Sequence, residues 1–236
     1  MRSLIVIAMF TASLAHAAWN GYTEDRELEL DTDGISSFEI DAGAGSLVVT
    51  GVEDLHKILV TATINVPDKD AEDAQEIIEK GLRLSLEKTR DEARLKADFE
   101  QRSWGWGDSP TVDLDVRVPH GLALVVDDGS GSIKIVDMVA DIEVDDGSGS
   151  LSISGAANVA IDDGSGSITV IGATGDVDIE DGSGSITVEQ VGGSVTIDDG
   201  SGGIDVDDVE HDLIIIDDGS GGLNASNVRG VIDNDS

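Results

Sequence analysis

Pairs of neighbouring acidic residues recur through the second half of the chain, and carboxylates at this spacing could hold divalent cations. Each pair opens the phrase Asp-Asp-Gly-Ser-Gly-Ser or a close variant, and successive copies start 18, 17, 18, 18 and 19 residues apart. Calcium prefers oxygen ligands, which carboxylates of successive copies and nearby backbone carbonyls would supply. We therefore predict a Ca²⁺ site at the first acid of each copy. This first acidic column consists of Asp127, Asp145, Asp162, Glu180, Asp198 and Asp217.

The second acid of each pair has a competing, structural interpretation. This second acidic column consists of Asp128, Asp146, Asp163, Asp181, Asp199 and Asp218. An aspartate that starts a turn accepts a hydrogen bond from the backbone N–H two residues on, and no copy replaces this residue. The first acidic column includes Glu180, so we expect that column to face solvent. Turn formation and cation binding both remain open, and the phrase differs from the nine-residue Gly-Gly-x-Gly-x-Asp calcium repeat.

Other residues with chemical potential favour binding over catalysis. His56, His120 and His211 form no pair with metal-ligand spacing, and the acids repeat by period, whereas a catalytic pair should be unique. No nucleophile motif lies between a strand and a helix. Trp104 and Trp106, in Ser-Trp-Gly-Trp-Gly, either contact a sugar or protein partner or cap an open end of the core. We predict no enzyme; the rival is a polysaccharide-active β-helix enzyme with its unique group in the Trp104 loop.

The short period also determines which elements must position these acids. Each copy joins two short strands of alternating Val and Ile through a corner, where glycine adopts a tight turn at the least cost. About five buried aliphatic residues return ~1.5–3 kcal/mol each, whereas ordering ~18 residues of backbone costs ~1–2 kcal/mol per residue. Stability must therefore come from stacking of the copies. We predict an all-β fold, a parallel single-stranded β-helix with coils of about 18 residues, over residues 119–236.

Residues 25–118 differ from the repeats and predict a β-rich N-terminal part. A short helix is expected near residues 68–80, with Asp68 or Asp70 as its cap, Gly81 at its end, and Ala71, Ala74 and Ile78 on one face. Residues 41–51 read as a degenerate copy of the repeat. The repeat pattern therefore begins near residue 35, breaks at the insertion, and resumes after Pro119.

The beginning of the chain and its composition limit its location and partners. An apolar run and the Ala15-His16-Ala17 cleavage signal predict a signal peptide over residues 1–17, and therefore a periplasmic or extracellular protein. The chain has no cysteine and a net charge of −35, so disulfides are excluded and electrostatic binding to nucleic acid is disfavoured. No segment after the signal peptide is apolar enough to span a membrane.

The sequence resembles a family of bacterial exported proteins known as "putative adhesins", which are built from β-strand repeats and have no defined activity. The resemblance covers roughly residues 35–236. It rests on Val-Pro-His-Gly at 118–121, on the Gly-Ser-Gly-Ser-Ile-x-Val units, and on the earlier unit at 45–51. It implies a β-solenoid and export, and it transfers no catalytic or binding residue. The uniform double-Asp corners and the helical insertion are departures from the family pattern.

Together these features predict an exported, non-catalytic β-solenoid with an adhesin-like binding or structural role at the cell envelope. Its partner would be an unknown protein, a polysaccharide or a surface, and its solenoid ends could support self-association. The alternative is a scaffold stabilised by Ca²⁺ bound at the first acidic column.

Overall fold

The computed structural model describes residues 21–100 and 109–234, and 71% of the structure is β-strand. In these two ranges the strands form one 18-stranded sheet that winds into a parallel β-solenoid of about 6 turns, with a single helix beside it. The predicted fold class is therefore confirmed. The predicted signal peptide and the two tryptophans, Trp104 and Trp106, lie outside the described residues.

The N-terminal part contains six strands and the helix. They are β1 (Gly21–Asp31), β2 (Ser37–Val52), β3 (Lys57–Pro67), α1 (Ala71–Gly81), β4 (Leu82–Thr89), β5 (Glu92–Phe99) and β6 (Thr111–Pro119). The pairs β1–β3, β3–β6 and β4–β5 are antiparallel. In contrast, β2 pairs in parallel with β5 and β6 along one edge. The antiparallel strands thus lie at one end of the stack.

The solenoid continues with β7 (Ala123–Val136), after which each coil contributes one short and one longer strand. The short strands are β8 (Ile142–Asp146), β10 (Val159–Asp163), β12 (Val177–Asp181), β14 (Val195–Asp199), β16 (Leu213–Asp217) and β18 (Ile232–Asn234). The longer strands are β9 (Gly149–Ala156), β11 (Gly166–Ala173), β13 (Gly184–Val191), β15 (Gly202–Val209) and β17 (Gly222–Val228). Each strand pairs in parallel with its counterparts in the coils before and after it, and one register shift occurs in β16.

The first coil of the solenoid lies in the N-terminal part of the sequence. Strand β2 pairs in parallel with β7, and the pairs include Gly45 with Gly131 and Ser46 with Ser132. The degenerate copy at 41–51 therefore occupies the same register as the later repeats. One hydrophobic core runs through both parts of the chain, so the division into 25–118 and 119–236 stays a prediction about domain organisation.

Helix α1 begins and ends for local reasons. The Asp70 side chain caps it by accepting the N–H groups of Glu72 and Asp73 at 3.1 and 3.0 Å. Ala74 and Ile78 are buried against a small cluster on β3, whereas Ala71, in the first turn of the helix, is exposed. The helix thus buries two of the three residues that the spacing places on one face. In the described part of the chain, no helix is long and apolar enough to cross a membrane.

The solenoid core consists of aliphatic columns, as the spacing predicts. In β12, Val177 and Ile179 are fully buried, while Asp178 and Glu180 between and after them are exposed. Their in-register partners, Val195 with Val177 and Ile197 with Ile179, are also fully buried. This alternation continues to the last residue before the corner, so it determines which acid of each pair points inward.

Candidate functional site

The candidate site is the corner that joins each short strand to the longer strand after it. Backbone N–H groups of the corner glycines bond to the preceding coil, for example Gly164 to the Asp146 carbonyl at 2.9 Å and Gly182 to that of Asp163 at 2.8 Å. The second glycine of each corner has no space for a side chain. A Cβ on Gly166, whose φ is +153°, would lie 1.6 Å from the Gly149 carbonyl oxygen. The coils therefore approach closely enough to stack the acids.

The second acidic column is buried from β7 to β14. Asp128, Asp146, Asp163, Asp181 and Asp199 are each at most 5% exposed. In the last four of these, Oδ1 accepts a hydrogen bond from the N–H of the serine two residues on, at distances of 2.9 to 3.1 Å. These bonds are the turn-forming contacts that the sequence predicts for this column.

The other carboxylate oxygen of each buried aspartate has no hydrogen-bond partner in the described structure. This holds for the Oδ2 atoms of Asp128, Asp146, Asp163, Asp181 and Asp199. The five residues pair in register across neighbouring strands, so the acids stack at the spacing of one coil, about 4.8 Å. A column of buried, partly unsatisfied carboxyl groups is costly when charged, because both desolvation and repulsion act on it.

Burial accordingly favours the protonated form of this column. It raises the pKa of Asp128 to about 7, with further contributions from the negative charges of Asp146 and Asp127. Burial also raises the pKa of Asp146 and of Asp181 to about 6, and in both cases the serine N–H bond acts in the opposite direction. Burial also raises the pKa values of Asp163 and Asp199.

The first acidic column faces outward, as expected from Glu180. Asp127, Asp145, Asp162, Glu180 and Asp217 are exposed and Asp198 is half-buried. Their strands align them in one line along the solenoid. Across residues 109–234, no lysine or arginine lies within ion-pair distance of this line. The line is therefore a run of negative charge whose neutralising ions must come from outside this part of the chain.

The N-terminal part treats the equivalent position differently. In β2, Asp41 aligns with Asp127 and thus occupies the first acidic column of the first coil. The Lys96 Nζ donates to its Oδ2 at 2.6 Å, and this hydrogen bond raises the pKa of the lysine. The residue aligned with Asp128 is Ala42, so the first coil has no buried acid. Where the protein supplies a cation to this column, it does so with a lysine.

The Ca²⁺ site predicted at the first acidic column is not a preformed cage. Among the described residues, no three acidic, histidine or cysteine side chains converge as a metal group requires. A cation on this column would contact carboxylates of two neighbouring coils and complete its coordination with water. Metal binding by these residues therefore stays a prediction, and the geometry favours weak sites.

The last double-Asp corner departs from the others. Strand β16 contains one extra residue, Ile216, so the register shifts between Ile197 and Asp198. Asp217, which the sequence assigns to the solvent-facing column, accepts the N–H of Gly219 on its Oδ1 at 2.8 Å. Asp217 thus forms the turn contact that the second acid makes in the earlier coils. The 19-residue spacing before this copy was the sequence signal for the bulge.

A second polar ladder at the opposite corner was missed by the sequence analysis. It precedes the short strands and consists of Asp141, Asn158, Asp176, Ser194 and Asp212. Each side chain accepts the backbone N–H of the equivalent residue in the next coil, for example the Asp176 N–H on Asn158 Oδ1 at 2.9 Å. The signal was present, because a polar residue with an acceptor recurs directly before each short strand. The ladder stops at Val231, which has no acceptor.

An open groove runs across the outer face of β8, β10 and β12. Its volume is about 500 Å³, and its acids include Asp141, Glu143, Asp176 and Asp178. Val125 and Ala160 provide small apolar patches between them. The groove is shallow and acidic, so its chemistry suits contact with polar or positively charged groups.

No family model and no curated protein matches the sequence of this chain. Among solved structures, a putative adhesin from Parabacteroides distasonis is 11% identical, with a TM-score of 0.47 over 89% of this chain and 96% of that one. A putative cell adhesion protein from Clostridium sporogenes is 9% identical, with a TM-score of 0.34 over 89% and 98%.

A third similar structure, a putative lipid binding protein from Parabacteroides distasonis, is 13% identical, with a TM-score of 0.35 over 88% of this chain and 96% of that one. Bacterial adhesin-like proteins are therefore among the structures similar to this chain, at very low sequence identity. Membership of the adhesin-like family stays a prediction. Likenesses at this level carry no functional argument, so any function must be argued from the residues.

Proposed function

We propose that this protein is an exported, non-catalytic β-solenoid that acts as a binding or structural protein at the cell envelope. The observation that carries the proposal is the first acidic column, an exposed line of carboxylates that repeats once per coil. A line of equivalent groups suits repeated weak contacts, because contacts on one rigid body add through effective concentration. A catalytic centre would instead require a group that occurs once.

The partner class follows from the charge. A chain with a net charge of −35 repels nucleic acids and anionic lipid surfaces. A protein, a polysaccharide or a surface that carries positive charge, or that is bridged by divalent cations, is the suitable partner. The acidic groove lined by Glu143 and Asp178 extends the negative charge of this outward face beyond the corner.

We propose Ca²⁺ as the bridging cation, which makes the solenoid a cation-stabilised scaffold. The first acidic column has no lysine or arginine partner in residues 109–234, and Lys134 and Arg229 are the only lysine and arginine after Pro119. A cation bound only by the folded protein adds RT ln(1 + [L]/Kd) to the free energy of unfolding. A site with a Kd of ~1 mM would contribute ~1 kcal/mol at ~5 mM Ca²⁺.

A calcium titration of the melting temperature tests this proposal. CaCl₂ should raise the melting temperature well above the value in NaCl of matched ionic strength, because screening alone does not distinguish the two salts beyond valence. The double variant Asp145→Asn with Asp162→Asn should lose part of that excess. The matched control, Glu143→Gln with Asp178→Asn, removes the same charge from the same outward face, two residues before the column on β8 and β12, and should retain the excess. Equal responses of the wild type to both salts would reject cation binding.

Two further experiments test the remaining parts of the proposal. Cell fractionation should recover the intact protein outside the cytoplasm, and a variant without residues 1–17 should remain inside. A panel of acidic and neutral polysaccharides should be bound or ignored but not cleaved. Turnover that disappears on substitution of one non-repeated residue would instead establish the enzyme. Trp104→Ala with Trp106→Ala should weaken binding of a polysaccharide if these residues form a contact patch.

A further inference from the structure

Exposed apolar side chains are concentrated at the C-terminal end of the solenoid. Of the large apolar residues that the structure shows as exposed, Ile214, Ile216, Val231 and Ile232 all lie in the last two short strands or beside them. Val231 is 66% exposed and Ile232 is 50% exposed. Ile232 aligns with Leu213, which is fully buried, so the core column continues into a position that nothing in the described structure covers.

The longer strand of the last coil shows the same change. Leu223, Ala225 and Val228 are only partly buried. They align with three fully or almost fully buried residues of the coil before, Ile204, Val206 and Val209. The end of the solenoid therefore presents a cross-section of the hydrophobic core, which in every earlier coil is covered by the next one.

The strands at this end also have free edges. Among the described strands, β17 pairs only with β15 and β18 only with β16. The outer N–H and C=O groups of β17 and of Ile232 and Asp233 in β18 therefore pair with no other described strand. Natural edge strands are commonly protected by lysine or proline, and neither residue occurs in β17 or β18.

The last coil is nearly free of net charge, unlike the coil before it. Residues 219–234 contain only Arg229 and Asp233 as charged side chains. Residues 205–210 carry four acids, and polar or basic groups of the last coil contact three of them. Asn224 donates to Asp205 at 2.8 Å, Ser226 donates to Asp207 at 2.7 Å, and Arg229 donates to Glu210 at 2.5 Å.

The N-terminal end of the stack is protected against pairing with a strand of another molecule. There β5 and β6 pair with the first coil, and the edge strand β1 pairs only with β3 among the described strands. Strand β1 carries six charged residues among its 11, which is the usual protection of an edge. The exposed C-terminal end of one copy therefore finds no exposed N-terminal end on another copy. Head-to-tail filaments are disfavoured for this reason.

From these observations we propose that the C-terminal end of the solenoid, formed by β16, β17 and β18, is an interface at which a second copy of this chain docks tail to tail. Two identical ends related by a two-fold axis form a closed contact. Their β17 and β18 edges can pair antiparallel, and Val231 and Ile232 become buried. A second copy fits because its own neutral last coil is the part of this acidic chain that it can bring close without strong repulsion. This interface is independent of the proposed role of the first acidic column.

Sedimentation and light scattering at increasing protein concentration test the proposal. Between about 1 µM and about 500 µM, the range expected for a modest interface, the mass should rise from one to two copies and then stop. Val231→Asp with Ile232→Asp should weaken association at least tenfold, because it places four charges in the dimer contact. Val139→Asp is the matched control, since Val139 is also an exposed valine, at 58%, but lies far from this end. It should leave the dimer unchanged.

A cross-link determines the orientation of the two copies. The chain contains no cysteine, so single cysteines can be introduced without interference. Asp233→Cys should give a covalent dimer with a short bismaleimide, and Asp33→Cys, in the turn after β1, should not. Circular dichroism must show that each variant keeps the wild-type fold, and Ile216→Lys provides a second test if the double variant does not.

Several outcomes would overturn the interface. In sedimentation, a monomer throughout the concentration range or growth beyond two copies would do so. So would a dimer that keeps its Kd in both the Val231/Ile232 double variant and Ile216→Lys. Cross-linking through Asp33→Cys would contradict the tail-to-tail orientation. Loss of the calcium effect described above would leave the dimer untouched. The failure of one proposal is therefore distinguishable from failure of the other.

Discussion

Two aspartates that are neighbours in the sequence occupy opposite environments at every regular corner. Asp145 is exposed on the surface of the solenoid, whereas Asp146 is 1% exposed and lies in the wall of the core. The backbone alternation of β8 causes the difference, because successive side chains of a strand point to opposite faces. The same residue type therefore has two different roles one position apart.

Because of this difference, each of the two interpretations of the acid pairs, turn formation and cation binding, applies to a different column. Each aspartate of the second acidic column stabilises its turn through Oδ1. Its charged form is less favourable than that of a first-column acid, because its Oδ2 is buried without a hydrogen-bond partner. The first acidic column makes no such contact in the regular coils and retains its hydration. Turn formation is thus the role of the second column, and cation binding remains a proposal for the first.

The largest expected effect on stability comes from placing a new acid in the buried face of β13, the longer strand that follows a corner. Val188→Asp would put a carboxylate in a fully buried aliphatic column, where no turn N–H is available to bind it. We expect a loss of about 4 kcal/mol or more, which is enough to unfold the stack cooperatively. Far-UV circular dichroism and a thermal melt measure it.

The adjacent position supplies the control for this substitution. Thr187 faces outward on the same strand and aligns with Asp205 of the next coil, so Thr187→Asp adds one repulsive contact in water and should cost no more than about 1 kcal/mol. A wild-type melting curve for Val188→Asp would contradict the aliphatic column and the parallel register together.

The pH dependence of stability distinguishes the columns next. The buried aspartates have pKa values above their ordinary value, about 7 for Asp128 and about 6 for Asp146 and Asp181. Between pH 4 and those values the folded state binds more protons than the unfolded state, so the free energy of unfolding falls as pH rises. We expect the protein to be more stable at pH 5 than at pH 8 by about 2 kcal/mol or more.

Overall charge repulsion has the same sign, so the experiment needs two controls. Added NaCl of about 0.5 M screens exposed charges much more than buried ones and should leave most of the slope. Asp146→Asn with Asp181→Asn should reduce the slope, with Asp128 supplying most of what remains, whereas Asp145→Asn with Asp162→Asn should keep it. A slope that vanishes in salt, or that follows the exposed pair, would remove the distinction between the columns.

Replacing one buried aspartate by asparagine should have a smaller effect on stability. It should stabilise the protein, whereas most single substitutions destabilise. Asp146→Asn retains the oxygen that accepts the Ser148 N–H, removes a buried charge, and adds an amide that can donate along the column. At pH 8 it should stabilise the protein by about 1 kcal/mol. Asp145→Asn should change stability by no more than a few tenths. Chemical denaturation at pH 8 measures both, and destabilisation by Asp146→Asn would indicate that the carboxylate has a partner.

Much of this arrangement could be predicted from the sequence because one unit repeats. The period predicted the coils, the alternation of Val and Ile predicted the core columns, and the presence of Glu180 indicated the exposed column. The insertion before Pro119 could be located because residues 41–51 keep the repeat pattern. Local rules were sufficient wherever the determining contact lay within a few residues.

The period predicted which residues stack between coils, but it did not predict the hydrogen bonds that individual atoms make there. The unpaired Oδ2 of Asp163 is a consequence of how closely coils stack, which no spacing reveals. The ladder through Asn158 and Asp176 joins residues 18 apart, and only the register brings them together. Exposure of Val231 likewise depends on the absence of a further described coil rather than on its own neighbours.

The smallest predicted effect asks whether sequence position or hydrogen bonding determines the role of an acid. Asp217 and Asp198 belong to the same column and align with each other, yet Asp217 accepts the Gly219 N–H at 2.8 Å because Ile216 shifts the register. Asp217→Ala should therefore cost about 0.5–1 kcal/mol, the usual net contribution of one hydrogen bond. Asp198→Ala should be neutral or slightly stabilising, since it only relieves repulsion between like charges. Both values follow from urea denaturation at pH 7. Equal values for the two variants would mean that the bulge changes the shape of the last corner without changing the role of its acid.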